Sequence, residues 1–194
     1  MEDYMGLKTW SKTLLESYIH LKYFAKTVDK LILRLSLNSN ITSSTDLLIY
    51  NTYVLTDKLI SLCERKKVIC NTKVLVDEIL LDLPIEYSKI LILKYIDKLS
   101  NLEISKIYNV NVRTIFRKLQ IATDKFANRL LVKGYNNENL LKIYNSERWM
   151  HTIYLRVYSR LKSDLLREER IKCLLKKETV MDKGLMVLDG SLSK

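Results

Sequence analysis

The sequence predicts an all-α protein: an N-terminal helical hairpin, a central helix-turn-helix bundle and a long C-terminal helix. Two observations carry the fold class. Only four Gly and one Pro occur among 194 residues, too few to punctuate a many-cornered sheet protein but enough for a handful of long helices. Apolar residues also recur at alternating steps of four and three, the period of one helix face rather than of a strand. With 47% hydrophobic and 28% charged residues, the chain can bury a core without disulfide or metal staples.

Residues 7–36 form the first predicted helix, with Leu14, Tyr18, Leu21, Ala25, Val28, Ile32 and Leu35 on a heptad seam. SLNSNITSST (36–45) is a polar connector, and Ser44 or Thr45 is a suitable N-cap for the next helix. That helix carries Leu48, Thr52, Leu55, Leu59 and Leu62 and is predicted to end at ERKK (64–67). The two seams suit an antiparallel hairpin over 1–70, buried inward or serving as an oligomerisation surface. A shorter helix capped by Asn71 then carries Val74, Leu75, Ile79 and Leu80 to Leu83. Pro84 can start the following helix but not interrupt one, and Ile85, Ile90, Leu91, Leu93 and Ile96 are its apolar positions.

After a break near Asp97–Ser100, LEISKIY is predicted as a short helix capped by Ser100 or Asn101, with Ile104 and Ile107 inward. Asn109 suits a left-handed turn, Val110 is expected to point inward, and Asn111 can cap a second helix from Val112. There Ile115, Leu119, Ala122, Phe126 and Leu130 make a buried stripe. Two helices joined by a four-residue turn are a helix-turn-helix, whose second helix fits a major groove about 12 Å wide. Its outward residues are Val112, Arg113, Thr114, Phe116, Arg117 and Gln120, with no acid between Val112 and Ala122. Arg113 and Arg117 project together and suit guanine or phosphate. Phe116 suits a thymine methyl or a neighbouring helix. Ser100, Asn101, Lys118 and Lys125 complete the candidate DNA-contacting set, Lys125 as a contact indifferent to sequence.

The run LPIEYSKILILKYIDKLSNLEISKIYNVNVRTIFRKLQIATDKF (83–126) resembles region four of bacterial sigma factors, the domain that reads the upstream promoter hexamer. The similar features are Leu83-Pro84, the helix ending LKY (93–95), Leu99-Ser100, Glu103-Ile104 and Ile115. Asn109 and Ser105 stand where that family usually has Gly and Ala. The resemblance implies a sigma region-four-type bundle over 71–133, with Val112, Arg113, Thr114, Phe116 and Arg117 against double-stranded DNA. The overall order of segments is similar to sigma-like phage and prophage regulators of the ArpU and RinA kind. That likeness implies transcription activation and RNA polymerase as a further partner. A small terminase-like packaging oligomer, a divergent sigma factor and a protein-only adaptor are the alternatives.

GYNNEN (134–139) reads as a linker, and Leu140 to about Glu178 as one long basic helix with a stripe at Met150, Tyr154, Val157, Leu161 and Leu165. This extension, 134–194, ends in a frayed tail, VMDKGLMVLDGSLSK. Packing on the hairpin, dimerisation and phosphate contact are its competing uses. Net charge is +11, split as +1 over 1–82, +5 over 83–131 and +5 over 132–194, so the surplus lies in the helix-turn-helix and the C-terminal extension. Acids interrupt the basic face too often for a membrane-surface helix. Cys63, Cys70 and Cys173 form no CxxC pair and are expected to be small core residues in a reducing cytoplasm. Two histidines, no phosphate-cradling glycine loop and no nucleophile motif lead to the expectation of no enzyme, no metal and no cofactor.

Overall fold

The structure, a computed structural model, describes residues 2–37 and 45–188, with side chains over 5–37, 52–167 and 169–170. Among these it has seven α-helices, one π-helical turn and no strand. The helices are α1 (Glu2–Leu37), α2 (Thr45–Asp82), α3 (Ile85–Leu91), α4 (Asn101–Tyr108), α5 (Val112–Val132), α6 (Asn137–Ile143) and α7 (Arg148–Leu188). Residues 1–154 form one compact unit and 155–194 a second. Ser44, the Leu48 side chain and those of Cys173, Lys172, Lys176 and Lys177 lie outside what is described.

The hairpin forms and the α1 heptad is in place, with Leu55, Leu59 and Leu62 of the α2 seam half-buried, whereas Thr52, placed on that seam by its spacing, is exposed. Leu14, Leu21 and Val28 of α1 are buried, and Tyr18, Ala25 and Ile32 half-buried, so the seam faces α2. Between the two helices Lys66 pairs with Asp29 at 2.6 Å. Two predicted breaks are absent. ERKK does not end a helix and Asn71 does not cap one, because α2 runs unbroken from Thr45 to Asp82. No Gly or Pro interrupts it, an interior Asn costs less than about 0.7 kcal/mol, and Ile69, Thr72, Leu75, Val76, Ile79 and Leu80 continue the buried stripe. The division at residue 70 therefore falls inside one helix. Val74 is turned out, as are Cys63 and Cys70, which are surface thiols rather than core residues.

The core of the first unit gathers α1, α2, α3, α4 and α5 around Trp10, Leu14, Leu15, Ile79, Ile90, Leu91, Ile104, Ile115 and Phe126. Each such side chain contributes roughly 1.5–3 kcal/mol on leaving water. Ile85 is exposed at the first position of α3, beyond the reach of this core. After α3 the backbone widens into a π-helical turn, Ile92–Ile96, where the Asp97 N–H donates to the Ile92 carbonyl at 3.0 Å. The extra residue per turn spreads Ile92, Leu93, Tyr95 and Ile96 around the rim of the core, all partly buried.

Beyond α5 the chain does not run as a linker into one helix. Asn136 caps the short α6 by accepting from the Asn139 N–H at 2.8 Å. A turn through Tyr144–Glu147 then leads into α7. The reason lies in α1: Trp10 donates from Nε1 to Asn137 Oδ1 at 3.1 Å and packs its ring on Tyr144 and Tyr154. Gly6 is required beside it, since a Cβ there would lie 2.7 Å from Asn137 Cγ. Tyr144 reaches α2, its hydroxyl 2.8 Å from that of Thr72. Buried Glu147 accepts from Trp149 Nε1 at 2.7 Å, and Trp149 meets Phe24 of α1 edge-on.

In the second unit α7 stays helical to Leu188, past the predicted start of a frayed tail, because good helix formers surround its single Gly184. Leu165, placed on the buried stripe by its spacing, is exposed there. Positions 189–194 lie outside the described residues.

Candidate nucleic-acid interface

The site is built from α4, the turn Asn109–Asn111 and α5. The Ser100 hydroxyl accepts from the Glu103 N–H at 3.2 Å, and the Glu103 carboxylate accepts from the Ser100 N–H at 2.7 Å, a reciprocal capping box. The Ser100 hydroxyl, then the backbone hydrogen bond, hold the Glu103 carboxyl below the ordinary carboxylate range. α4 ends on Asn109 in the left-handed region (φ 50, ψ 46), and the Val110 N–H closes back on the Ser105 carbonyl at 3.0 Å. Asn111 restarts the chain by accepting from the Arg113 N–H at 2.8 Å. Caps and turn hydrogen bonds thus satisfy the helix ends that the turn leaves open.

Ile115, Leu119, Ala122, Phe126 and Leu130 are all buried, as their spacing predicts, and fix the roll of α5. Two predicted locking residues do not lock. Val110 and Ile107 are exposed because α4 turns Ile104, Ser105 and Tyr108 inward, a face that leaves Ile107 on its outer side. The turn is held by backbone hydrogen bonds and caps instead of by Val110.

At about 100° per residue, Arg113, Arg117 and Gln120 fall in a narrow outward sector, and all three are exposed. Phe116, 58% exposed, borders that sector on one side, which favours neither of its two readings over solvent. Val112 and Thr114 are half-buried at the first turn. Exposed Ile121 borders the same sector on the other side; its place four residues after Arg117 was the available signal, and an apolar residue among cations hid it.

The remaining candidates divide. Ser100 is committed to its cap, and Asn101 follows it at the start of α4. Lys118 and Lys125 leave the outward sector for the flank against α3. Lys118 pairs with Glu86, which raises its pKa, and lies over the Tyr108 ring, while Lys125 lies 5.1 Å from the Tyr87 ring centre. They brace α5 against α3 rather than project with Arg113. Glu103 was readable as the fourth residue of Ser-x-x-Glu; Glu86 and Tyr87 carried no sequence signal, since only the fold brings them to α5. Farther along, Asp124 pairs with Lys8 of α1 at 2.8 Å, and Lys133 is held by Glu78 at 3.0 Å and Asp82 at 3.3 Å. Glu78 and Asp82 of α2 therefore clamp the end of α5 through Lys133.

A capped helix pair over a left-handed turn, presenting two arginines from the first turns of its second helix, has the geometry of a helix-turn-helix. Residues 73–122 match the family model described as Sigma-70, region 4. The match begins within α2 and ends within α5, and it covers well under half of the chain. No curated protein and no solved structure matches the chain. Among the described residues no helix is long and apolar enough to cross a membrane.

Proposed function

We propose that the protein is a sequence-specific transcription regulator of the phage or prophage activator kind, cytoplasmic and without catalytic activity, that reads duplex DNA with α5. The joint outward projection of exposed Arg113, Arg117 and Gln120 is the observation that carries this reading. Either guanidinium can take guanine O6 and N7 bidentately, and Gln120 can take adenine. The missing acid between Val112 and Ala122 leaves nothing on this surface to repel phosphate. The similarity to Sigma-70, region 4 supports RNA polymerase as the partner through which DNA binding becomes activation.

Selection of bound fragments from random duplexes, followed by a salt titration on the recovered sequence, tests the proposal. The expected log–log slope is about −4 to −8, for roughly four to nine phosphates neutralised. Retention of no duplex at low ionic strength overturns it.

A further inference from the structure

The hairpin has a second pair of seams on the sides that α1 and α2 turn away from each other. On α1, Ile19, Tyr23, Lys26, Lys30, Leu33 and Leu37 advance by alternating steps of four and three, and every one is exposed. On α2, Tyr53, Asp57, Ile60 and Glu64 advance in the same way and are likewise exposed. A heptad of large apolar residues is the pattern of a helix packed on another helix, yet Tyr23, Leu37 and Tyr53 are 70%, 66% and 77% exposed. A surface helix gains nothing in water from such a row, and contiguous apolar exposure marks an interaction surface.

The charges set into these seams identify the occupant. The α1 seam carries two lysines at its centre and the α2 seam two acids. None of the four enters an ion pair among the described residues; the hairpin's own cross-helix pair, Lys66 with Asp29, uses other positions. α1 against α1, or α2 against α2, would press like charges together. α1 of one copy against α2 of another sets Lys26 and Lys30 beside Asp57 and Glu64, with Tyr23, Leu33, Leu37, Tyr53 and Ile60 around them. We infer that this protein self-associates edge to edge, the outer seam of α1 in one copy packing on the outer seam of α2 in the next. The two seams lie on opposite edges of the hairpin, so one contact leaves one seam of each kind open. Such heterologous contact builds a ring or a chain of more than two copies.

Size-exclusion chromatography with light scattering on the full chain, over a range of concentrations, tests this. The wild type is expected to exceed the mass of two chains as concentration rises. Lys26→Glu/Lys30→Glu places acids on both seams, and Asp57→Lys/Glu64→Lys places bases on both, so each variant alone is expected to run at the mass of one chain. Mixed one to one, the first variant's intact α2 acids meet the second's intact α1 lysines, and its introduced α1 acids meet the second's introduced α2 bases. The mixture is therefore expected to assemble again, as is a chain carrying all four reversals, and a mixture that stays dissociated overturns the proposal. All four positions are exposed, so helix content by circular dichroism is expected to be unchanged. A wild type of single-chain mass at every concentration overturns the proposal, as do assemblies that survive either double reversal or a fourfold variant that stays dissociated. Neither seam contains a residue of the DNA-facing sector, so retention of duplex by the dissociated variants reports on DNA reading separately.

Discussion

Arg113 and Arg117 lie outside the contacts that occupy Lys118 and Lys125, and this difference sorts the basic residues of α5 by task. Arg113→Ala and Arg117→Ala are each expected to lose roughly 1–3 kcal/mol of discrimination at one base position, read by competition between the selected duplex and singly mismatched ones. Lys125→Ala removes a cation over the Tyr87 ring, and is expected to lower stability by about 0.5–1 kcal/mol while leaving base preference intact. Equal relaxation of preference by all three would count against base reading. Glu103 carries an acid sensitivity with a defined sign. Its folded pKa lies below the ordinary value because the Ser100 hydroxyl and N–H favour the carboxylate. The stability it contributes is thus present above the ordinary carboxylate pKa and lost as pH falls through the lower folded value. Urea midpoints of Glu103→Gln are expected to lack that acid limb; an identical limb in the variant would refute the assignment.

Each helix was legible where its period was long and its caps local. α5 was the clearest case: five buried positions, an Asn cap and an Asn turn are all short-range signals, and all are found in place. Asn109→Ala is expected to cost about 1 kcal/mol, because Ala enters the left-handed region without a local hydrogen bond, whereas Asn109→Gly is tolerated; equal urea midpoints for the two variants would contradict this. Breaks were less legible than helices. ERKK and Asn71 look like a helix end only until their tertiary setting is known, since buried Ile69, Thr72 and Val76 outweigh weak propensity. The π-helical turn at Ile92–Ile96 has no composition of its own, being a response to the core it wraps. α6 was hidden because GYNNEN has the residues of a loop; Asn136 and Asn137 serve instead as the cap and as the acceptor for Trp10, a partner 127 residues away in sequence.

At the scale of the molecule, the first unit is tied together by aromatic residues that bridge distant parts of the chain. Tyr144 stacks on Trp10 and shares a hydrogen bond with Thr72, joining the α6–α7 turn to α1 and α2. Burial pushes its phenol up from 10.0 to about 12. Its stabilising contribution is therefore complete below the ordinary phenol pKa and is lost as pH rises through the folded value. Alkaline unfolding is expected to set in over that interval, and Tyr144→Phe to remove this component at the cost of about 0.5–1.5 kcal/mol for the hydrogen bond near neutrality. Unchanged alkaline melting in the variant would exclude Tyr144 as the source. These bridges were not legible in the sequence, where Trp10, Thr72, Asn137 and Tyr144 belong to separate segments. The unbroken course of α2 has a mechanical consequence. One stiff rod begins in the hairpin and ends clamped to α5 through Glu78, Asp82 and Lys133, so whatever grips its far end also aims the reading head. Neighbours abutting along their hairpins would hold their heads at a fixed cadence along the double helix. Sites in step with that cadence would fill together, and sites displaced by half a turn, about 5 bp, would face the wrong way.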